Sequence, residues 1–295
     1  MKESELLAHI YRRSAGIEHG SVVVGPGDDC AVVRAGTGDL LLLTVDQLIE
    51  GRHFKPGTDL DLVGRKAVAR SVSDIAAMGG SPRWGLGTGA LPAGDTRGDV
   101  LFDAMAKWAR HFGCPLVGGD IASTDGPPSL TVTVVGSVDG EPALRSNARV
   151  GDGVYLTGAI GGSLRADGGG RHLTFEPRVA EGQALRGTLG KRLGAMIDLS
   201  DGLGRDAGRI ASRSEVRIEI DAEAVPLNEG MTDVLEALGQ GEDYELLFTA
   251  RGAVPAEVLG TAVTRIGRVI EGAGCCAILG DGREVDLCEL GWDHG

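Results

Sequence analysis

Short runs rich in Val, Leu, Ile and Thr alternate with stretches of helical apolar periodicity along nearly all of the 295 residues. A run of four to eight apolar residues bounded by Gly or Asp reads as a strand, and apolar residues at i, i+3, i+4 and i+7 read as a helix buried on one side. Alternating the two commits the chain to layers of helix on sheet, the α/β (α+β) class. Strands are predicted at 21–24, 31–33, 40–45, 84–90, 115–117, 130–138, 154–157, 196–199, 216–220, 244–249 and 264–270. Helices are predicted at 3–13, 60–78, 97–112, 177–189, 203–212 and near 231–238, and CAILGDGREV reads as a hairpin turning at 280–282. A polar, glycine-bearing stretch at 145–158 parts two apolar runs, which gives two domains, 1–145 and 146–295. The most loop-like segment is GGSLRADGGGR at 161–171.

Charge narrows the function. Lys and Arg number 29 against 42 Asp and Glu, a formal net charge of −13. Such a balance repels polyphosphate backbones, and no basic cluster interrupts it, so nucleic acid and anionic membranes are not expected partners. The five cysteines include no C-x-x-C pair, which points to a reducing cytoplasm and away from structural zinc. No stretch approaches 18 apolar residues and the N-terminus mixes charges with apolar residues, so neither a membrane span nor a signal peptide is expected. G-x-x-x-x-G-K-[ST], a helix-opening G-x-G-x-x-G, H-E-x-x-H and G-x-S-x-G are all absent from the sequence.

The aspartates remain. They fall in GPGDDCA (25–31), LLLLTVDQ (40–47), SVSDIAAMGG (71–80), VGGDIAS (117–123) and MIDLSDGLGRD (196–206), mostly at the end of an apolar run or beside Gly. Side chains at strand ends of layered folds converge on one edge, which makes Asp28, Asp29, Asp46, Asp74, Asp120, Asp198 and Asp201 candidates for one site. Gathered carboxylates repel one another unless cations neutralise them. An oxygen-only donor set selects hard ions such as Mg²⁺, held by one or two carboxylates together with phosphate oxygens, so an acidic chain can hold a polyphosphate without a P-loop. Taken singly, Asp29 after Gly27 and Asp201 before Gly202 read as turns or caps, and Asp46 as a strand-end turn or a ligand. Asp74 falls on a helix face with Ala67, Ser71 and Met78, where burial demands a partner such as Lys66 or Arg70. By themselves His53 reads as a packing or surface histidine, Trp292 as a core plug and Arg145 as a boundary charge.

In their order, GDDCA, TVDQLIEGRHF, SVSDIAAMGG, VGGD, IDLSDGL and GEDYELLF resemble the thiamine-monophosphate kinase family, within the superfamily of aminoimidazole ribonucleotide synthetase and selenophosphate synthetase. The resemblance runs from about Gly25 to Trp292. It implies a two-domain synthetase-like fold, with N-terminal sheets paired across a homodimer into a barrel and a C-terminal α/β sandwich. It implies phosphorylation of thiamine monophosphate by ATP, giving thiamine diphosphate. By position, Asp29, Thr44, Val45, Asp46, Asp74, Asp120, Asp198 and Asp201 would hold several Mg²⁺ ions. Phe102, Gly119, Asp120, Arg145 and Ser200 would contact ATP, with Phe102 where the family often has Tyr. His53, Glu242 and Trp292 would contact thiamine monophosphate, Trp292 by stacking on its cationic rings. No general base is assigned, because a phosphate acceptor is already largely ionised near neutral pH and transfer then rests on positioning and charge neutralisation.

The chain departs from the family at 158–178, GAIGGSLRADGGGRHLTFEPR, which is shorter and altered, and at Gln240, where the family has Gly. The first bears on closure over the substrate. The rival readings are a superfamily enzyme with another acceptor and a nucleotide-binding homologue without turnover.

Overall fold

The computed structural model describes residues 3–14, 20–36, 38–288 and 290–292. The first half contains α1 (Glu3–Ser14), β1 (Val22–Val24), β2 (Ala31–Arg34), β3 (Leu40–Ile49), α2 (Leu60–Ala77), β4 (Ser81–Pro92), α3 (Gly98–His111), β5 (Leu116–Thr124) and β6 (Ser129–Val138). Its strands form one sheet in the order β1-β2-β3-β6-β4-β5. Only β4 and β5 pair in parallel, and α3 supplies the crossover that parallel neighbours need. The central strand β6 shows why the sheet is two-faced. Leu130, Val132, Val134 and Val138 are buried with Val63, Val68 and Ile75 of α2 and Leu101 and Met105 of α3, while Thr131, Thr133 and Ser137 alternate with them on the other face.

The second half contains β7 (Gly153–Thr157), α4 (Val179–Leu189), β8 (Leu193–Asp198), α5 (Leu203–Ser214), β9 (Arg217–Asp221), α6 (Val234–Gly239), β10 (Leu246–Ala250), β11 (Glu257–Val258), β12 (Thr261–Ile270), β13 (Gly274–Ile278) and β14 (Glu284–Asp286). The sheet order is β14-β13-β9-β12-β7-β10-β8, with β11 paired to β12. Its inner strands are apolar on both faces because both are covered. Ile197 and Leu247 pack with Leu203, Ala207 and Ile210 of α5. Met196, Leu246 and Phe248 pack on the opposite side with Leu185 and Leu189 of α4 and Ala77 of α2.

Helix α2 is therefore shared. Thirteen of its eighteen residues are buried, since the first sheet and α3 cover one side and the second half covers the other. Two glycines permit the approach. A Cβ on Gly64 would collide with Ala104, and one on Gly182 of α4 would run into the Ala76 carbonyl oxygen. Asp59 starts α2 by accepting the Asp61 N–H at 2.8 Å, as an N-cap should.

The predicted helices and most predicted strands appear within a few residues of their expected limits. β3 and β5 run longer than expected, to Ile49 and Thr124, so Asp46 and Asp120 lie within strands rather than at their ends. In β3 the ladder with β6 continues unbroken from Leu40 to Ile49, and Asp46, opposite the buried Val132 and on the helix-covered face with Leu42 and Leu48, does not interrupt it because its side chain pairs with Arg70 of α2. The hairpin at 280–282 is present as the β13/β14 pair.

Candidate active site

Positions 66, 70, 73 and 74 recur at the spacing of one helix face, and on α2 that face looks toward the second half. The lower part of the face meets an acidic cluster. Oxygens of Asp29, from the loop between β1 and β2, Asp74 of α2 and Asp198, the last residue of β8, all lie within 4.8 Å of one another. Each is fixed by neighbours. Arg145 grips Asp29 through Nη2 at 2.6 Å and Nε at 3.2 Å, and its backbone N–H donates to Asp28 at 3.1 Å. Ser73 donates to Asp198 at 2.6 Å, and the Thr44 hydroxyl to Asp74.

Burial, with the charges of Asp46, Asp198 and Asp29, pushes Asp74 well above the usual carboxylate range. Burial and Asp29 do the same to Asp198. Burial and Asp29 raise Asp28 to about 7 despite Arg145. Three carboxylates with one guanidinium among them and hydroxyl donors behind them form an all-oxygen set, the chemistry a hard divalent cation takes. Asp46, two residues beyond Thr44 on β3, lies 3.3 Å from Nη2 of Arg70, and Val45 between them is exposed. Asp201 is bound instead to Arg209 at 2.5 Å, and its backbone N–H donates to Asp206.

The upper part of the face borders a cavity lined by Arg52, His53, Arg70, Leu164, Ser200, Asp201, Gly239, Gln240, Gly241, Glu242 and Trp292. His53, Glu242 and Trp292, far apart in sequence, thus share one wall system with Ser200 and Asp201. The backbone explains how. Glu242 sits at φ 71°, and its N–H donates to the Ser200 carbonyl at 2.8 Å, which turns its side chain inward. Trp292 is tied by its own N–H to the Asp201 carbonyl at 2.9 Å. Ile49 donates to Nδ1 of His53 at 2.9 Å, so a neutral His53 carries its proton on Nε2.

Behind the wall, the fully buried Lys66 spends its three donors on Glu242 at 2.5 Å, the His53 carbonyl at 2.8 Å and Nδ1 of His172 at 2.8 Å. Burial pulls Lys66 down to about 8, opposed by Glu242. Burial acts to raise Glu242, but Lys66 and Arg70 outweigh it and hold the carboxyl below its ordinary value. Burial and Lys66 lower His172, which is therefore neutral near pH 7 and contacts the Gly168 carbonyl through Nε2. His172 belongs to the 158–178 segment, which is firmly attached. Ser163 donates to Asp243 at 2.5 Å, Arg171 donates to the Asp243 carbonyl at 2.5 Å and pairs with Glu245, and Lys55 donates to the Ala166 carbonyl at 2.6 Å. These bonds bring Leu164 to the cavity.

Three expected residues stand apart from both groups in the single chain. Gly119 and Asp120 lie on β5, the exposed edge strand, opposite Gly87 and Thr88. Phe102 of α3 packs its ring on Gly89 at the margin of the first core. Sequence reasoning missed Arg52, Leu164, His172 and Gln240 as part of the site. Arg52 lies inside EGRHF and Gln240 beside Glu242, and Leu164 and His172 fall in the altered 158–178 segment, so proximity to a marked stretch was the signal, although nothing singled out Leu164 and His172 within theirs.

Comparison with known proteins matches residues 27–138 to the family described as AIR synthase related protein, N-terminal domain. The thiamine-monophosphate kinase of Rhodopirellula baltica is 33% identical, with 99% of this chain and 97% of that protein covered. The Escherichia coli thiamine-monophosphate kinase is 35% identical over 92% of each, and that of Bacillus subtilis 33% identical over 100% and 99%. Among solved structures, AaThiL complexed with AMPPCP and TMP superposes with a TM-score of 0.82 at 31% identity, covering 100% of this chain and 99% of that one.

Proposed function

The chain belongs to the thiamine-monophosphate kinase family, and from that membership we propose that it transfers the γ-phosphoryl group of ATP to thiamine monophosphate, giving thiamine diphosphate and ADP. The observation that carries this reading is the adjacency of the two groups. The cavity bearing His53, Glu242 and Trp292 meets the aspartate cluster through Arg70, one helical turn before Asp74. AaThiL, similar over its whole length, is complexed with an ATP analogue and TMP, which supports both substrates here.

In this reading Trp292 stacks on the cationic rings of the acceptor and Glu242 offers a countercharge. Lys66 holds Glu242 and the His53 loop in place from behind. Asp29, Asp74 and Asp198, with Thr44, Val45, Asp46, Asp120 and Asp201, would hold Mg²⁺, which when bound neutralises charge on the transferring phosphoryl group. Arg145 and Ser200, with Phe102, Gly119 and Asp120, serve ATP. The acceptor phosphate needs no strong base, so the residues act by orientation and by exclusion of water.

Residues 1–145 form the ATP-binding and pairing domain, and 146–295 complete the site. The chain works as a homodimer. Trp84 and Leu86 of β4 and Val117 and Ile121 of β5 are exposed on an edge-bearing sheet, a surface that folded chains cover. Ile121→Lys should convert the species seen by analytical ultracentrifugation from dimer to monomer, and a wild-type monomer rejects the pairing. A cytoplasmic setting agrees with five free cysteines, and no described helix is long and apolar enough to cross a membrane.

The acceptor is tested by coupled ADP release against thiamine monophosphate, thiamine and a panel of other phosphate monoesters. Turnover confined to thiamine monophosphate supports the reading. Faster turnover of another phosphate assigns the chain a different acceptor.

A further inference from the structure

Arg70 stands where the acidic cluster and the cavity meet. Its Nη1 donates to the Gln47 carbonyl at 2.8 Å and its Nη2 to Asp46 at 3.3 Å. These contacts use two of the five N–H donors of a guanidinium. Its Nε is buried and has no acceptor among the described residues, although the side chain is only 11% exposed and forms part of the cavity wall. Burial works against the charge of Arg70, and Tyr244, Asp46, Glu242 and Asp74 outweigh it, so the guanidinium remains charged. Neutralising Glu242 does not account for it, because Lys66 already pairs with Glu242 at 2.5 Å. A buried cation with unspent donors, set between a cavity and a cluster suited to polyphosphate, matches a doubly charged, acceptor-rich group with several oxygens.

Resting on the kinase reading above, we propose that Arg70 is the residue by which the cavity reads the phosphate of its acceptor, donating to two phosphate oxygens and holding that group against the phosphoryl donor. Arg70 is then a catalytic residue in the strict sense, in contact with the reacting group. It is also the source of discrimination against the unphosphorylated alcohol, since thiamine offers no anion to the fork.

The test is calorimetric titration of the intact protein with thiamine monophosphate and, separately, thiamine, using wild type, Arg70→Ala and Arg70→Lys. Wild type should bind the monophosphate more tightly. In Arg70→Ala the monophosphate should weaken by roughly tenfold or more while thiamine is unchanged, and Arg70→Lys should recover only part, because lysine supplies charge without the planar fork. The KM for ATP should stay within about twofold while that for the monophosphate rises. A preference for the monophosphate that survives in Arg70→Ala overturns the inference alone, as does equal weakening of both ligands, which marks a residue that only shapes the cavity. No preference in wild type overturns the acceptor reading and the inference with it.

Discussion

Asp74 bears the sharpest tension in the molecule. It is a carboxylate on a largely buried helix, facing Asp29 and Asp198, with a threonine hydroxyl as its nearest donor. Such a group costs stability when ionised and is kept for what it binds. Asp74→Asn should therefore lower kcat by about 100-fold or more at saturating Mg²⁺ while leaving the metal-free melting temperature equal or higher. Turnover within a few-fold of wild type removes the residue from the metal site. Asp74 was legible because its motif put a carboxylate on an apolar helix face. Its partners were not. Lys66 and Arg70 were the evident candidates, yet they pair with Glu242 and Asp46, because one helix face meets strands and loops of both halves of the chain and only their packing decides which charge meets which.

Helix α2 is the element on which the site depends, since it carries Lys66, Arg70, Ser73 and Asp74 and is clamped by α4. The clamp rests on Gly182, whose missing side chain leaves room for the Ala76 carbonyl. Gly182→Ala should destabilise the protein by about 1–3 kcal/mol through overpacking. Gly187→Ala, on the same helix with open space around it, should be neutral or gain up to about 1 kcal/mol from helix propensity. Urea unfolding of both checks the pair, and equal effects reject the clamp. Element identities were readable because periods of 2 and 3.6 differ plainly in this chain. The extent of β3 and β5 was not, since the ladder with a neighbour, rather than local pattern, sets how far each strand runs past its apolar stretch.

For the whole molecule, charge is the governing quantity. Asp28 and Asp206 are raised to about 7, mainly by burial, and burial also raises Asp74 and Asp198 well above the usual carboxylate range. Their folded forms bind protons more tightly than the unfolded chain does, so their contribution to stability is fullest below about pH 4 and is lost as pH rises toward and past 7. A divalent cation competes with those protons and should stabilise more as they leave. The rise in melting temperature on adding Mg²⁺ should accordingly be larger near pH 8 than near pH 6, and a rise that shrinks over this interval contradicts the assignment of Asp74 and Asp198 to a cation. In the proposed function the two groups joined at Arg70 perform one phosphoryl transfer. It is tested most directly by ³¹P NMR of the purified protein with Mg²⁺, ATP and thiamine monophosphate, with thiamine as the control acceptor. Thiamine diphosphate and ADP should form in equal amounts from the monophosphate, with no product from thiamine. ATP left intact beside the monophosphate, or phosphorylation of thiamine itself, would contradict it.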